Sequence, residues 1–415
     1  MNASTFDVII VGTRAAGASL AINLVRKGLR VLAVDRARFP SDTLSTHVIY
    51  PNTLARLEAL GVLDEIEAHR PPPLYTAWHH QGRAVVAPHA PVNGRDWALC
   101  VRRITLDAIL VNKARSLGCV VLEGMQVVSL LGSGTSTDPV TGIVCQGPDG
   151  EERFSAPLVV GADGVNSTMA RCLGLERKKV MPSETMLYFA YWKGAKSRNT
   201  QDFFFAPPWI CAHFPADDDH HVVTMNGPVN LRNSISDMEA FYLERIQSIP
   251  ALWARLEGAT KVSRVLGSTK LEGFYRQHTG AGWALVGDAA HFKHPAGAQG
   301  ICDALHASEA LSTFIVNGDW PTAYPEWRER ESREIYAFCK HLAEVPTDST
   351  VSGLMDCLIH DAPLAKRMVD IWARASSPWK EVIPHVPGMA EITGHSVDEV
   401  LAPFDNDVTP TGETV

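Results

Sequence analysis

The run Asp7 to Val11 constrains this chain most. In D-V-I-I-V every residue after the first is β-branched, so the strand it forms has two apolar faces to bury. Such a strand belongs in a parallel sheet, and parallel neighbours need a crossover, usually a helix. The following residues supply one. Gly12-Thr13-Arg14-Ala15-Ala16-Gly17 makes a turn, Ala18 to Lys27 reads as a helix with small residues on one side, and Arg30 to Val34 is a second strand closed by Asp35. The chain therefore opens on a β-α-β unit of an α/β fold.

A glycine turn before a helix, with an acid roughly twenty residues after the first glycine, is the outline of a dinucleotide fingerprint. Gly12, Ala16 and Gly17 shape the turn, and the helix N-terminus offers N–H groups to a pyrophosphate. Asp35 is placed to accept from ribose hydroxyls, with Arg36 beside it. One position departs: the middle glycine is Arg14, which must stand off from the phosphates or supply its own guanidinium.

Two further segments extend the pattern. Leu158 to Val160 is a short apolar strand ending in Gly161-Ala162-Asp163-Gly164. Trp283 to Val286 is another, leading into Gly287-Asp288-Ala289-Ala290-His291, then Pro295 and Gly297-Ala298-Gln299-Gly300. From Ile301 the apolar positions Ile301, Leu305 and Leu311 take helical spacing. Together with R-R-I-T-L-D at 102 to 107, these segments resemble single-component FAD-dependent monooxygenases of the para-hydroxybenzoate hydroxylase-like class, in a branch close to geranylgeranyl-reductase-like flavoproteins. The resemblance implies non-covalent FAD, NAD(P)H as electron donor, and oxygenation through a flavin C4a-hydroperoxide. It puts Asp288 on the ribitol, Pro295 beside the isoalloxazine and the backbone of Gly297, Ala298, Gln299 and Gly300 at the pyrimidine edge. It also puts Arg103 on phosphate or flavin edge, with Arg102 as the alternative register, and Asp163 on FAD and NAD(P)H. The stretch Ser41 to His47 becomes the loop beneath the flavin, which makes His47 a candidate to touch ring or substrate.

The implied fold is a Rossmann-like FAD-binding domain with a mainly antiparallel substrate sheet and C-terminal helices. Residues 1–73, 99–180 and 271–320 form the first, 74–98 and 181–270 the second, 321–404 the helical region and 405–415 a tail. Val120 to Phe154 reads as an antiparallel meander, Ser236 to Glu257 as a helix, and Pro321 to Leu342 and Thr350 to Ser376 as two more. Aromatics crowd the residues from Tyr188 to Phe214, and Tyr188, Tyr191, Phe203, Phe205 and Trp209 are the expected pocket for an apolar, ring-shaped small molecule. His47, Lys293 and His294 are the candidate catalytic groups; His291 is a further general acid or base.

The alternatives are a flavin-dependent reductase of prenyl double bonds and a flavin-binding protein without oxygenase activity. A flavin halogenase is disfavoured by the lack of a W-x-W-x-I-P run. At 415 residues with a net charge of −8 the chain lacks the basic balance that nucleic-acid binding requires. Its 8 cysteines form no C-x-x-C pair, and no metal site is expected. No apolar run reaches the ~18 residues of a membrane span. The expectation is a cytoplasmic protein, monomeric or homodimeric, without membrane insertion.

Overall fold

The computed structural model describes residues 6–45, 47–386 and 394–405. Its organising sheet has five parallel strands in the order Trp283–Leu285, Leu158–Gly161, Val8–Val11, Val31–Asp35, Val120–Glu123, with Thr279–Gly280 antiparallel at one edge. Alternation along these strands sorts their side chains into two cores. Val8, Ile10, Val31, Ala33, Leu158 and Val160 face the helices Ala15–Arg26, Arg103–Ser116 and Gly300–Asn317. Ile9, Val11, Leu32, Val34 and Val159 face Met125, Val127, Ile143 and Cys145 of a three-stranded meander. Both faces are covered, as the β-branched opening run requires.

The meander comprises Gln126–Leu131, Gly142–Gly147 and Gly150–Ser155. Val120–Glu123, expected to belong with it, pairs instead in parallel with Val31–Asp35. Gly124 turns the chain between the two sheets at φ 72.

The second unit is an eight-stranded, mostly antiparallel sheet. Tyr75–His80 and Arg83–Ala87 join Thr185–Lys193, Thr200–Ala206, Trp209–Pro215 and His220–Pro228 in it, with two short strands at its other end. One face carries the helices Met238–Gln247 and Pro250–Leu256, a break that Pro250 imposes on the single helix expected there. The other face looks toward the parallel-sheet unit. The C-terminal helices Asp348–His360 and Ala362–Asp370 pack over Trp78 and Ala87 of its outer strands. They too were expected as one helix. Asp361 stops the first and caps the second, its carboxylate accepting from Leu364 N at 2.8 Å. Most of the C-terminal tail expected at 405–415 lies outside the described residues.

Candidate cofactor and active site

The strand Val8–Val11 delivers Gly12 to the helix Ala15–Arg26 at φ 94. A Cβ there would lie 2.6 Å from the Ala162 carbonyl oxygen, and one at Gly17 would lie 1.8 Å from the Gly12 oxygen, so both must be glycine. Ala16 packs on Gly287, where a Cβ would come within 2.9 Å of its methyl. Among the described residues no acceptor meets the N–H groups of Ala15, Ala16 and Gly17. These are the free donors of a helix end. Asp35 closes the next strand, accepting from Thr13 N at 2.7 Å and Ala37 N at 2.8 Å, while Arg36 projects into solvent.

Arg14 stands off. Its guanidinium turns away from the helix end and donates to Ser41 O (3.1 Å), Asp42 O (3.0 Å) and the Asp107 carboxylate (2.8 Å). Arg103 holds the same buried Asp107 from the other side at 2.8 Å. Arg102 is occupied elsewhere, its Nε and one Nη donating to Oδ2 of Asp217 and its backbone N to Oδ1, at the turn of the large sheet. Arg103 is therefore the arginine left on the cleft side. Asp163 accepts from Thr168 N and Met169 N at 2.7 and 3.1 Å, so it caps a short helix; its other oxygen is buried without a partner among the described residues. Burial pushes its carboxyl up.

Asp288 sits at the exit of Trp283–Leu285, and none of the described residues donates a hydrogen bond to it. Burial pushes it up to about 6 against the pull of Arg103 and Lys293. Three sets of polar atoms thus lack partners among the described residues: the fingerprint N–H groups, the Asp288 carboxylate, and the N–H groups of Gln299, Gly300 and Ile301 at the start of the helix Gly300–Asn317. A Cβ at Gly300 would enter open space. Donors at both helix ends with an acid between them suit FAD, its pyrophosphate at one and its flavin at the other.

Several candidates are placed differently from expectation. Gly297 N and Ala298 N are spent on His294 O and Pro295 O within a tight turn, and the bare side of Gly297 faces Cys339 Sγ. Pro295 starts that turn, and Ala298 ends it at φ 49. Lys293 is not free beside the ring. It lies buried against Asp303, which also meets Arg374 and, at 3.2 Å, Arg328. Burial brings its ammonium down to about 8. His294 uses both ring nitrogens, toward Ala296 N and Thr185 Oγ1, and is held down at about 4 by burial. That occupancy removes it as a free acid or base. His291 stacks on Tyr275 at 3.7 Å, its Nε2 buried and without a partner among the described residues.

The aromatic candidates divide by strand parity. Tyr191 shares the inner face with Phe189, Ala212 and Phe214, in one cluster with Ala298 and Trp372. Phe203 joins this cluster, edge-on to Phe214 at 5.4 Å. Phe205 lies farther out under the C-terminal helices. Tyr188 and Trp209 point the other way, into the core beneath the helices of residues 238–256; they do not line the inner face. His47 is fully buried at φ 67, its ring edge-on to Phe189 at 5.1 Å. A non-glycine residue in that region costs about 1 kcal/mol. Thr46, its neighbour, lies outside the described residues.

Sequence reasoning missed Asp42, Asp303, Trp372 and Arg374. Asp303 reads as an ordinary acid in a first helical turn, and Trp372 as one more apolar helix position. Only the fold brings them to the loop at 295–300. There Gln299 accepts from Arg374 Nε at 2.8 Å and donates to Trp372 O at 3.1 Å.

A family model described as "FAD binding domain" matches residues 5–316. The chain belongs to that FAD-binding family. Members of this family bind the cofactor that the cleft suits, and the fold follows theirs. The chain is 24% identical to a 1H-pyrrole-2-carbonyl-[peptidyl-carrier protein] chlorinase of Pseudomonas fluorescens, over 76% of this chain and 77% of that one. It is also 24% identical to a digeranylgeranylglycerophospholipid reductase of Methanococcus vannielii, over 90% and 96%. The fold is similar to that of a probable FAD-dependent monooxygenase from Pseudomonas aeruginosa, with TM-score 0.67 and 21% identity over 81% and 95% of the chains. The protein is an FAD-dependent oxidoreductase of the monooxygenase type. No helix among its described residues is long and apolar enough to cross a membrane.

Proposed function

We propose that this oxidoreductase uses NAD(P)H and O₂ to oxygenate an apolar, aromatic small molecule. The observation that carries this reading is the inner-face cluster, in which Phe189, Tyr191, Phe203 and Phe214 pack in one group with Ala298 of the loop proposed to meet the cofactor's ring. Such a wall binds a flat apolar ring and keeps water from the reacting face. Bound FAD supplies the redox chemistry: hydride acceptance and activation of O₂. The chain's own residues hold and orient it. The N–H groups of Ala15 to Gly17 and Arg103 serve phosphate, Asp35 ribose, Asp288 ribitol, and the N–H groups of Gln299 to Ile301 the ring edge. The last is a helix end, which favours negative charge without a side chain.

Oxygen uptake by the FAD-loaded protein with NADPH or NADH and a panel of hydroxylated aromatics tests the reading. Substrate-dependent uptake with a product heavier by one oxygen is the expected result. A halogenated product formed only with added chloride or bromide would replace oxygenation by halogenation. Anaerobic reoxidation of the reduced flavin by a prenyl lipid would replace it by double-bond reduction.

A further inference from the structure

The helices Pro51–Ala59, Gly300–Asn317 and Ala323–Leu342 and the segment 371–378 enclose a cavity of about 460 Å³. It lies apart from the cofactor cleft, since neither the fingerprint, Asp35, Asp288 nor the loop at 295–300 lines it. Two arginines and two glutamates do. Arg56 comes from the first helix and Arg374 from the segment, while Glu331 and Glu334, three residues apart, share one face of the third helix. These opposite charges do not meet. Among the described residues Arg56 pairs with Glu309 at 3.3 Å, Arg374 with Asp303, and Glu331 with its neighbour Arg330 at 3.6 Å. Glu334 accepts only from Ser377 Oγ, through one oxygen. Arg56 donates through one Nη to Asn52 O, and Arg374 through Nε and one Nη to Gln299 and Asp303. Each arginine thus keeps an Nη without a hydrogen bond among the described residues, and Glu334 keeps an oxygen. His306 also lines the cavity. Burial holds it at about 4, with Arg56, Arg374 and Arg328 acting in the same direction and Asp303 against them.

We infer that this cavity binds a free amino acid with an apolar side chain. Its carboxylate meets the spare Nη groups of Arg56 and Arg374, its ammonium Glu331 and Glu334, and its side chain the apolar wall of Ile335, Ile371 and Pro378. A ligand with one charge satisfies half of the lining and is repelled by the other half. A zwitterion satisfies both. Arg374 also ties the cavity to the cleft, because its Nε donates to Gln299 Oε1 at 2.8 Å. A carboxylate on its free Nη steadies the side chain that holds the loop at 295–300, so the bound amino acid slows the release of FAD. That consequence rests on the proposed placement of FAD, whereas the site itself does not.

Calorimetric titration of the FAD-loaded protein at pH 7.5 with L-leucine, L-methionine and L-phenylalanine tests the site. At least one is expected to bind with a Kd below about 1 mM. Removing either charge (leucinamide or 4-methylpentanoate, for leucine) should weaken it about tenfold or more. In Glu334→Gln the amino acid should bind no better than its deaminated acid does in wild type; in Arg56→Gln, no better than its amide. If Glu334→Gln fails to fold, the exposed Glu331→Gln takes its place. No binding of the three up to about 10 mM would overturn the site. So would a deaminated acid or amide that binds as well as the amino acid, or variants that discriminate as wild type does. Flavin fluorescence reads FAD release with and without the amino acid. Release slowed several-fold is expected, and an equal rate overturns the coupling alone. Amino acid bound by a chain that takes up no flavin would defeat the flavoenzyme assignment and support the site.

Discussion

Asp288 carries two demands of opposite sign. Its carboxylate, raised to about 6 and without a donor among the described residues, destabilises the cofactor-free fold wherever it is ionised. The penalty is full above pH 6 and fades as pH falls from there toward the ordinary carboxylate range. With its partial exposure discounted it amounts to about 2 kcal/mol at pH 7.5. Asp288→Asn should therefore raise the melting temperature of the cofactor-free protein at pH 7.5 and flatten its rise between pH 7 and 5, while weakening FAD binding about tenfold or more, the cost of one charge-assisted hydrogen bond. Thermal scans with and without FAD check both signs. A variant that loses stability and affinity together would contradict the account. The glycines give a second pair of opposites. Gly300→Val adds bulk to open space and should keep the fold while shifting the flavin's reduction potential or spectrum. Gly297→Ala meets Cys339 Sγ and should lower stability by about 1–2 kcal/mol with the spectrum unchanged. At this scale Gly12, Gly17, Asp35 and Asp288 are legible because strand ends and tight turns restrict residue type locally. The surroundings of Lys293 and His294 are not, because Thr185 reaches His294 from a distant strand, and the Asp303 that holds Lys293 is shared with Arg328 and Arg374 from distant segments.

Among elements, the least legible are the strands of the large sheet that carry aromatics on both faces. Phe203, Phe204 and Phe205 follow one another on a strand, so the middle one must face the helices and the outer two the opposite side. Nothing in F-F-F says which face is which until the helices of residues 238–256 are seen to cover one of them. Tyr188 and Trp209 fall on the helical side for the same reason. The parallel strands posed no such problem, since β-branched runs between glycine turns admit few other structures. The stretch after Ala362–Asp370 is the element that sequence left without a role. Trp372 and Arg374 reach Gln299 on both its amide atoms, with Arg374 held at φ 54. Arg374→Ala should release that clamp. FAD retention after gel filtration should drop several-fold, with a stability loss of about 2–3 kcal/mol, moderate because Lys293 and Arg328 still neutralise Asp303. Arg374→Lys, which can meet Asp303 but cannot serve Gln299 as well, should recover the stability and not the retention.

At the scale of the whole molecule the two sheet units are joined by Arg102. Its Nε and one Nη donate to Oδ2 of the buried Asp217, its backbone N donates to Oδ1, and Thr105 Oγ1 adds a fourth donor at 2.6 Å. These donors hold the Asp217 carboxyl below its ordinary value despite burial. A depressed acid contributes stability that is present above its unfolded value, near 4, and is lost as pH falls through the folded one. Asp217→Asn should cost about 3 kcal/mol at pH 7 and make urea stability less dependent on pH below 4. Denaturant titrations at pH 3 and pH 7 measure the difference; an equal loss at both would contradict it.

The order of strands in the parallel sheet also carries a timetable. Val8–Val11 finds its neighbour Val31–Asp35 within a few dozen residues of synthesis, and Leu158–Gly161 arrives much later. The strand that covers Leu158–Gly161, and brings Asp288 and Gly300 with it, is the last to emerge. Until then a growing chain on the ribosome presents a bare, wholly apolar sheet edge, the kind of surface on which nascent chains aggregate or recruit chaperones. With the proposed binding groups divided between the first and last strands, cofactor is not expected to shorten that interval. Loading with FAD is therefore expected to be a late event in this protein's biogenesis, and chains released early by truncation after the second unit are expected to be insoluble even with excess flavin supplied.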